Sequence, residues 1–263
     1  MKLLFKLTII LALGAGIVTL SSCGDGNTDD PVPTETTPTC KLTSTNEVSQ
    51  GSGFATIYTY DASGSLTSYS SDGFTVNFTY IDGRVNTMST TDVLATAKYD
   101  DNGNIPERIT MVLEGDTSFI RFEYTGDQIT TIEDHFIEDG ISELAYISFI
   151  SYNSDGTLNS ITEQEYDADS ETTETLSTIK NITSDDKINP YISSQALILI
   201  SLLEENYDKL GKGNVLTAEY DYMINEPSNI TNTYTYNNEG YPISANQKGF
   251  SDETNFTFTY DCK

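Results

Sequence analysis

One histidine, three cysteines and 40 acidic side chains are the groups in this 263-residue chain with the most obvious chemistry. His135 stands in Asp134-His135-Phe136. A general base needs a nucleophile or a substrate held by rigid surroundings, and no signature here supplies one. The ordinary reading is a surface histidine with a carboxylate neighbour. Paired carboxylates could run glycoside hydrolysis, but among 40 acids some pair is close by chance and no feature selects one. The Asp/Asn-Gly turns raise the question of calcium. In an EF-hand loop, glycine is position 6 and a glutamate is position 12. Registering Gly103 puts Lys98 and Ile109 at the first and last positions, and registering Gly156 puts Ser151 and Thr162 there, so both fail. Gly-x-x-x-x-Gly-Lys, Gly-x-Ser-x-Gly and His-Glu-x-x-His are absent. No catalytic, cofactor-binding or metal-ligating residue is assigned, no cofactor is implied, and an enzyme is not expected.

The cysteines are more informative. Lys2 and Lys6 form a basic n-region, and the 14-residue apolar run Leu7–Leu20 is of secretory length, too short to stop in a bilayer. It ends in Leu20-Ser21-Ser22-Cys23, which resembles the bacterial lipobox, where the peptidase cuts before an acylated cysteine. Residues 1–22 therefore read as a lipoprotein signal peptide and Cys23 as the lipidation site. Cleavage removes two lysines and no acid, taking the charge from −27 to −29. Anionic lipid repels such a body, so attachment must come from acyl chains on Cys23, each buried CH₂ contributing about 0.8 kcal/mol. Residues 23–39, with Gly24–Pro38 reading GDGNTDDPVPTETTP, form a disordered tether. Gly24 stands where aspartate would retain the protein at the inner membrane. Asp25, Asp29 and Asp30 resemble the acidic export signal of surface lipoproteins. The expected address is the outer membrane, lipid-anchored, at the cell surface, with the periplasmic face as the alternative.

Cys40 and Cys262 lie at the two ends of the remaining sequence, in a compartment where disulfides persist. A Cys40–Cys262 bridge is expected to join the first and last strands, contributing on the order of 4–5 kcal/mol in the chain-entropy view. No Cys-x-x-Cys occurs, which removes the usual redox motif.

The charge excludes the simplest nucleic-acid reading, because phosphate binding needs a basic footprint. Hydrophobic residues at 37 %, with 18 glycines, suffice for a core. That core is written as a repeat. A large apolar residue, any residue, then tyrosine recurs at Tyr58-Thr59-Tyr60, Phe78-Thr79-Tyr80, Phe122-Glu123-Tyr124, Ile150-Ser151-Tyr152, Tyr234-Thr235-Tyr236 and Phe258-Thr259-Tyr260. In all but the last, a polar turn containing glycine and then an aliphatic residue follow, as in Tyr60…Gly64…Leu66 and Tyr152…Gly156…Leu158. Glycine supplies the positive φ that closes a hairpin. The flanks alternate with period two: Phe74, Val76, Phe78 and Tyr80 against Thr75, Asn77 and Thr79. One packed face and one threonine-rich wet face is the habit of an antiparallel sheet.

Tyr60-Asp61-Ala62-Ser63-Gly64-Ser65-Leu66 and Tyr99-Asp100-Asp101-Asn102-Gly103-Asn104-Ile105 resemble the Tyr-Asp repeat of Rhs-type proteins. Over residues 40–262 the chain resembles more closely a family of uncharacterised bacterial lipoproteins described as having a porin-like fold. The shared features are lipobox, tether, a cysteine before the first strand, Tyr-x-x-x-Gly hairpins and the late segment Asp186-Lys187-Ile188-Asn189-Pro190. The resemblance implies a fold and no catalytic residues.

Between Tyr152 and Tyr236 the repeat is interrupted. Residues 165–190 are acidic and turn-rich. Ala196, Leu199, Ile200, Leu203, Tyr207 and Leu210 share a helical face, with Ser193 or Ser194 as N-cap and Gly211 as C-cap. This predicts a helix of about 14 residues within about 194–210, in an insertion at about 190–211; a buried strand over 196–203 is the rival. The expected fold is all-β: a single domain over 40–263, one antiparallel meander of roughly 12 strands, curled into an incomplete barrel, with the helix packed on its apolar face.

The function expected from this is a non-enzymatic binding or structural role at the cell envelope. The alternative is a carrier of a lipid or other hydrophobic ligand in the sheet's concavity, and a hydrolase comes third. A membrane-spanning barrel is not expected, because the lipobox already supplies an anchor. The membrane is the one partner implied, through Cys23; a monomer is expected, with no nucleic acid, and the sequence names no protein or glycan partner.

Overall fold

The computed structural model describes residues 40–100, 105–168, 170–222, 227–249 and 252–262. The leader, Cys23 and the tether lie outside them. The alternating segments form β1 (Cys40–Ser49), β2 (Ser52–Tyr60), β3 (Leu66–Ser71), β4 (Phe74–Ile81), β5 (Arg84–Ser89), β6 (Val93–Lys98), β7 (Arg108–Leu113) and β8 (Asp116–Thr125). They continue as β9 (Gln128–Glu138), β10 (Ile141–Tyr152), β11 (Leu158–Asp167), β12 (Thr172–Ser184), β13 (Val215–Tyr222), β14 (Ser228–Tyr236), β15 (Pro242–Gly249) and β16 (Asp252–Cys262). Each pairs antiparallel with its sequence neighbours, and β1 pairs with β16 from Cys40↔Cys262 to Ser49↔Thr254.

The sheet is therefore a closed 16-strand barrel, not the open meander of roughly 12 strands that the sequence suggests. Two physical causes separate expectation from structure. β11 and β12 carry polar residues on both faces (Glu163-Gln164-Glu165 and Thr172–Thr175), so alternation is invisible there and the segment reads as turn. Closure is a pairing between chain ends, which no local pattern encodes. Cys40 and Cys262 form the outermost rung of that pairing and are joined by a disulfide, S–S 2.02 Å.

Polarity is sorted across the wall. Leu42, Tyr58, Val76, Phe78, Ile109, Phe122, Ile132, Phe256 and Phe258 point inward and are buried. The outer wall carries hydroxyls that pair across strands: Thr79–Thr87 at 2.7 Å, Ser151–Ser160 at 2.7 Å and Thr183–Thr217 at 2.7 Å. Ion pairs join them, Arg121–Glu133 at 3.1 Å and Lys180 with Glu219 and Asp221, each at 3.1 Å.

The two ends of the barrel differ. At one end, here the mouth, tight turns such as Gln50-Gly51, Asp72-Gly73, Glu114-Gly115 and Asp139-Gly140 hold positive φ at both residues, the type I′ geometry that matches strand twist. At the other, the base, lie Cys40, Cys262 and most of the repeat tyrosines. The ladder there shifts register at Thr59/Tyr60, Thr79/Tyr80, Glu123/Tyr124, Ser151/Tyr152 and Thr235/Tyr236. Such bulges re-aim a side chain. The re-aimed hydroxyl reaches back one hairpin: Tyr60 donates to the Leu42 carbonyl (2.8 Å), Tyr80 to Leu66 (2.8 Å), Tyr99 to Val85 (2.7 Å), and Tyr124 to Pro106. Over β1 to β8 the repeat forms a clasp along the base, which Tyr260, with a buried hydroxyl lacking a partner among the described residues, does not extend.

The 185–214 connection enters from the base as a plug. Helix α1 (Gln195–Leu203) starts at Ser194, whose hydroxyl accepts from the Leu197 amide. It is shorter than expected: Glu205 adopts φ 55° and the Asn206 amide donates to the Ser201 carbonyl at 2.8 Å, ending the helix near Leu203, well before Gly211. Leu197, Leu199, Ile200 and Leu202 are buried against the inner wall.

Candidate functional site

The plug is held at its neck by two polar residues. Asp185 accepts from the amides of Lys187 (3.0 Å) and Asn214 (2.8 Å) and from the Tyr236 hydroxyl. Asn189 donates to the carbonyls of Lys209 and Gly211, each at 2.8 Å, and accepts from the Tyr191 amide at 3.0 Å. The Asp-Lys-x-Asn-Pro segment is thus the staple of the insertion.

Three places carry chemically capable groups. The first is on the outer wall. His135 stacks on Phe119 at 4.4 Å between ring centroids; its Nε2 lies 3.3 Å from Glu133 Oε2 and its Nδ1 3.2 Å from Ser142 Oγ. The carboxylate neighbour is Glu133, because alternation turns Asp134 inward. Hydroxyl, imidazole and carboxylate in line is the order used by acyl-transfer nucleophiles. Here they stand on a solvent-facing sheet, with both of the cavities described below on the far side of the wall.

The second place is a chamber beside the neck of the plug. A cavity of about 50 Å³ is lined by Tyr191, Asp208, Lys209, Tyr234 and Phe258, among others. Asp208 is enclosed by protein, and burial raises its carboxyl above the usual range while Lys209 opposes the rise. Burial lifts Glu47 to about 7, again against Lys209. The phenols of Tyr220 and Tyr234 are pushed up by burial first and by Asp208 second, and that of Tyr191 by burial, then Glu204, then Asp208. Lys209 Nζ sits 4.5 Å from the centre of the Tyr191 ring, so the chamber holds its own cation. Nearer the mouth on the same strands, β14 to β16, Asn232, Gln247 and Thr254 are cross-strand neighbours whose buried oxygens have no partner among the described residues. Ordered water satisfies such groups. Among the described residues no cluster of His, Cys, Asp and Glu could hold a metal.

The third place is a cavity of about 340 Å³ at the base, between α1 and the starts of the neighbouring strands. Ile105, Ile129, Ile192, Ile198 and Leu210 give it an apolar lining, and Asp127, Gln128, Tyr152 and Lys212 add polar groups. Lys212 is exposed and its amide donates to the Gly156 carbonyl at 3.0 Å. Glycines flank it: an added Cβ on Gly213, at φ +77°, would lie 2.2 Å from the Asp185 carbonyl oxygen, and one on Gly211 would lie 2.6 Å from Leu158. Sequence reasoning found Gly211 only as a helix end and missed Lys212, Asp208 and Glu47. The Gly-Lys-Gly spacing around Lys212 was the available signal.

Of the residues singled out from sequence, Cys40 and Cys262 are brought together, and Cys23 lies outside the described residues. No family model and no curated protein matches the chain. Among solved structures it is similar to a porin-like protein from Bacteroides uniformis, at 16 % identity, covering 83 % of this chain and 96 % of that one with a TM-score of 0.55. It is also similar to a porin-like protein from Bacteroides vulgatus, at 11 % identity, covering 85 % and 99 % with a TM-score of 0.58. These likenesses establish a porin-like barrel fold and lend no support to the Tyr-Asp-repeat resemblance.

Proposed function

We propose that this protein is a non-enzymatic, lipid-anchored component of the bacterial cell envelope, whose barrel is a water-facing binding or structural body and not a pore. The observation that carries the reading is the polarity of the wall. A membrane barrel turns an apolar band outward and a polar lumen inward. Here threonines and the pairs of Arg121 and Lys180 face outward, interspersed with Ile57, Leu94, Val112 and Phe149, while Phe78, Phe122, Phe256, Phe258, Leu42, Leu66 and α1 fill the interior. Placing Arg or Lys on the lipid face near the bilayer midplane costs roughly 2–4 kcal/mol each. Attachment then falls to acyl chains on Cys23, at the outer membrane, with the cell surface favoured over the periplasmic face by Asp25, Asp29 and Asp30.

The test is fractionation. Wild type is expected in the membrane pellet, and residues 24–263 exported behind a leader that is cleaved without acylation in the soluble fraction. A leaderless barrel that stays in the pellet through a carbonate wash would mean that the barrel itself inserts.

The carrier is the second reading. The centre of the barrel is filled, since Leu199 and Ile200 are buried. The base cavity of about 340 Å³ is the space that favours it, being within the ~300–1,000 Å³ of small-molecule sites.

A further inference from the structure

We propose that the base cavity binds a single-chain carboxylic amphiphile, its tail among Ile129, Ile198 and Leu210 and its carboxylate met by Lys212, Tyr152 and Gln128. This rests on the carrier reading and gives it a site and a ligand class.

The first support is a gap in the clasp. Tyr60, Tyr80, Tyr99 and Tyr124 each donate to a carbonyl of the preceding hairpin. Tyr152 follows the same bulge and the same Gly156 turn, yet among the described residues its hydroxyl makes no hydrogen bond and it lines the cavity instead. By the repeat's own geometry its acceptor would lie near the start of β9, where Gln128 also lines the cavity. A polar tip left open beside an apolar lining is what a ligand head requires.

The second is charge. Lys212 stands between two close-packed glycines, on backbone that has no room to shift toward Asp185 or Leu158. Its ammonium makes no ion pair among the described residues; its charge acts on Asp155, and Asp127 shares the lining. With Asp127 and Asp155 beside it the surroundings of Lys212 are net negative, which disfavours a dianionic phosphate more than a monoanion bonded directly to the ammonium.

The third is position. The chain reaches the barrel at Cys40, at the base, 17 residues after Cys23 in the sequence. Acids stand at both ends, Asp61, Asp82, Asp155 and Asp186 at the base and Asp72, Glu114 and Asp139 at the mouth, so charge does not select the end that faces lipid. With Cys23 acylated, the base and its cavity are the end of the barrel nearest the anchor in sequence, where such amphiphiles partition.

Residues 23–263 with Cys23→Ser, which removes the protein's own acyl chains, are titrated with the fluorescent fatty acid cis-parinaric acid, then with dodecanoate and dodecanol as competitors. One saturable site is expected. Ile105→Trp should fill the cavity and remove binding of both competitors. Lys212→Ala with Tyr152→Phe should weaken dodecanoate about tenfold and leave dodecanol unchanged. Lys212 is exposed and the Tyr152 hydroxyl bonds nothing among the described residues, so neither change threatens folding. Binding unaffected by Ile105→Trp would overturn the site and spare the carrier reading. Loss of discrimination between acid and alcohol in the parent protein would overturn the ligand class. No binding of either competitor would end both.

Discussion

Tyrosine does two things in this barrel: its ring fills the inner face and its hydroxyl closes the clasp at the base. Burial raises the Tyr60 and Tyr80 phenols to about 12, so they are donors throughout the physiological range. Removing the Tyr80 hydroxyl leaves the Leu66 carbonyl without its 2.8 Å partner. Tyr80→Phe should therefore cost about 1 kcal/mol in urea unfolding. Tyr152→Phe, which breaks no bond among the described residues, should fall within about 0.5 kcal/mol of wild type. Equal losses at the two positions would show that the hydroxyls act through something other than the clasp. The same scale explains His135, which is fixed by Phe119, Glu133 and Ser142.

At the scale of elements, the plug depends on its neck. Gly213 combines φ +77° with backbone 2.2 Å from the position of a Cβ, whereas Gly73 has φ +79° and open space around it. Gly213→Ala should cost about 3 kcal/mol or more, since both strain and a clash with fixed backbone apply. Gly73→Ala should cost about 1 kcal/mol, from conformation alone. Thermal unfolding of the two variants separates them; similar melting temperatures would mean that the neck is not tight. The hairpins, the inward rings, the Cys40–Cys262 rung and the helix start at Ser194 were all legible, because turn glycines, period-two alternation and caps are local signals. The helix end was not legible: Glu205 takes a left-handed conformation that its residue type does not announce. Nor were β11 and β12, whose two wet faces erase alternation, nor the open hydroxyl of Tyr152, which shares its motif with tyrosines that are bonded.

At the scale of the whole molecule, closure and polarity decide the role. Joining β1 to β16 removes every sheet edge among the described strands, which are the usual sites of edge-to-edge association. The fold is similar to that of two porin-like proteins; its buried residues line the inside of the wall, the reverse of a membrane barrel's polar lumen, and the interior is occupied by Leu197, Leu199, Ile200 and Leu202. The formal charge of −27 disfavours contact of the body with anionic lipid.

The most direct measurement places a bimane fluorophore on the outer wall, at Asn77→Cys in β4 and at Thr257→Cys in β16, both exposed. The lipidated protein is reconstituted with phosphatidylcholine vesicles carrying brominated acyl chains. A water-facing barrel predicts emission typical of water, quenching by iodide, and no quenching by bromine at either position. Bromine quenching with protection from iodide would put the wall in hydrocarbon and contradict the account.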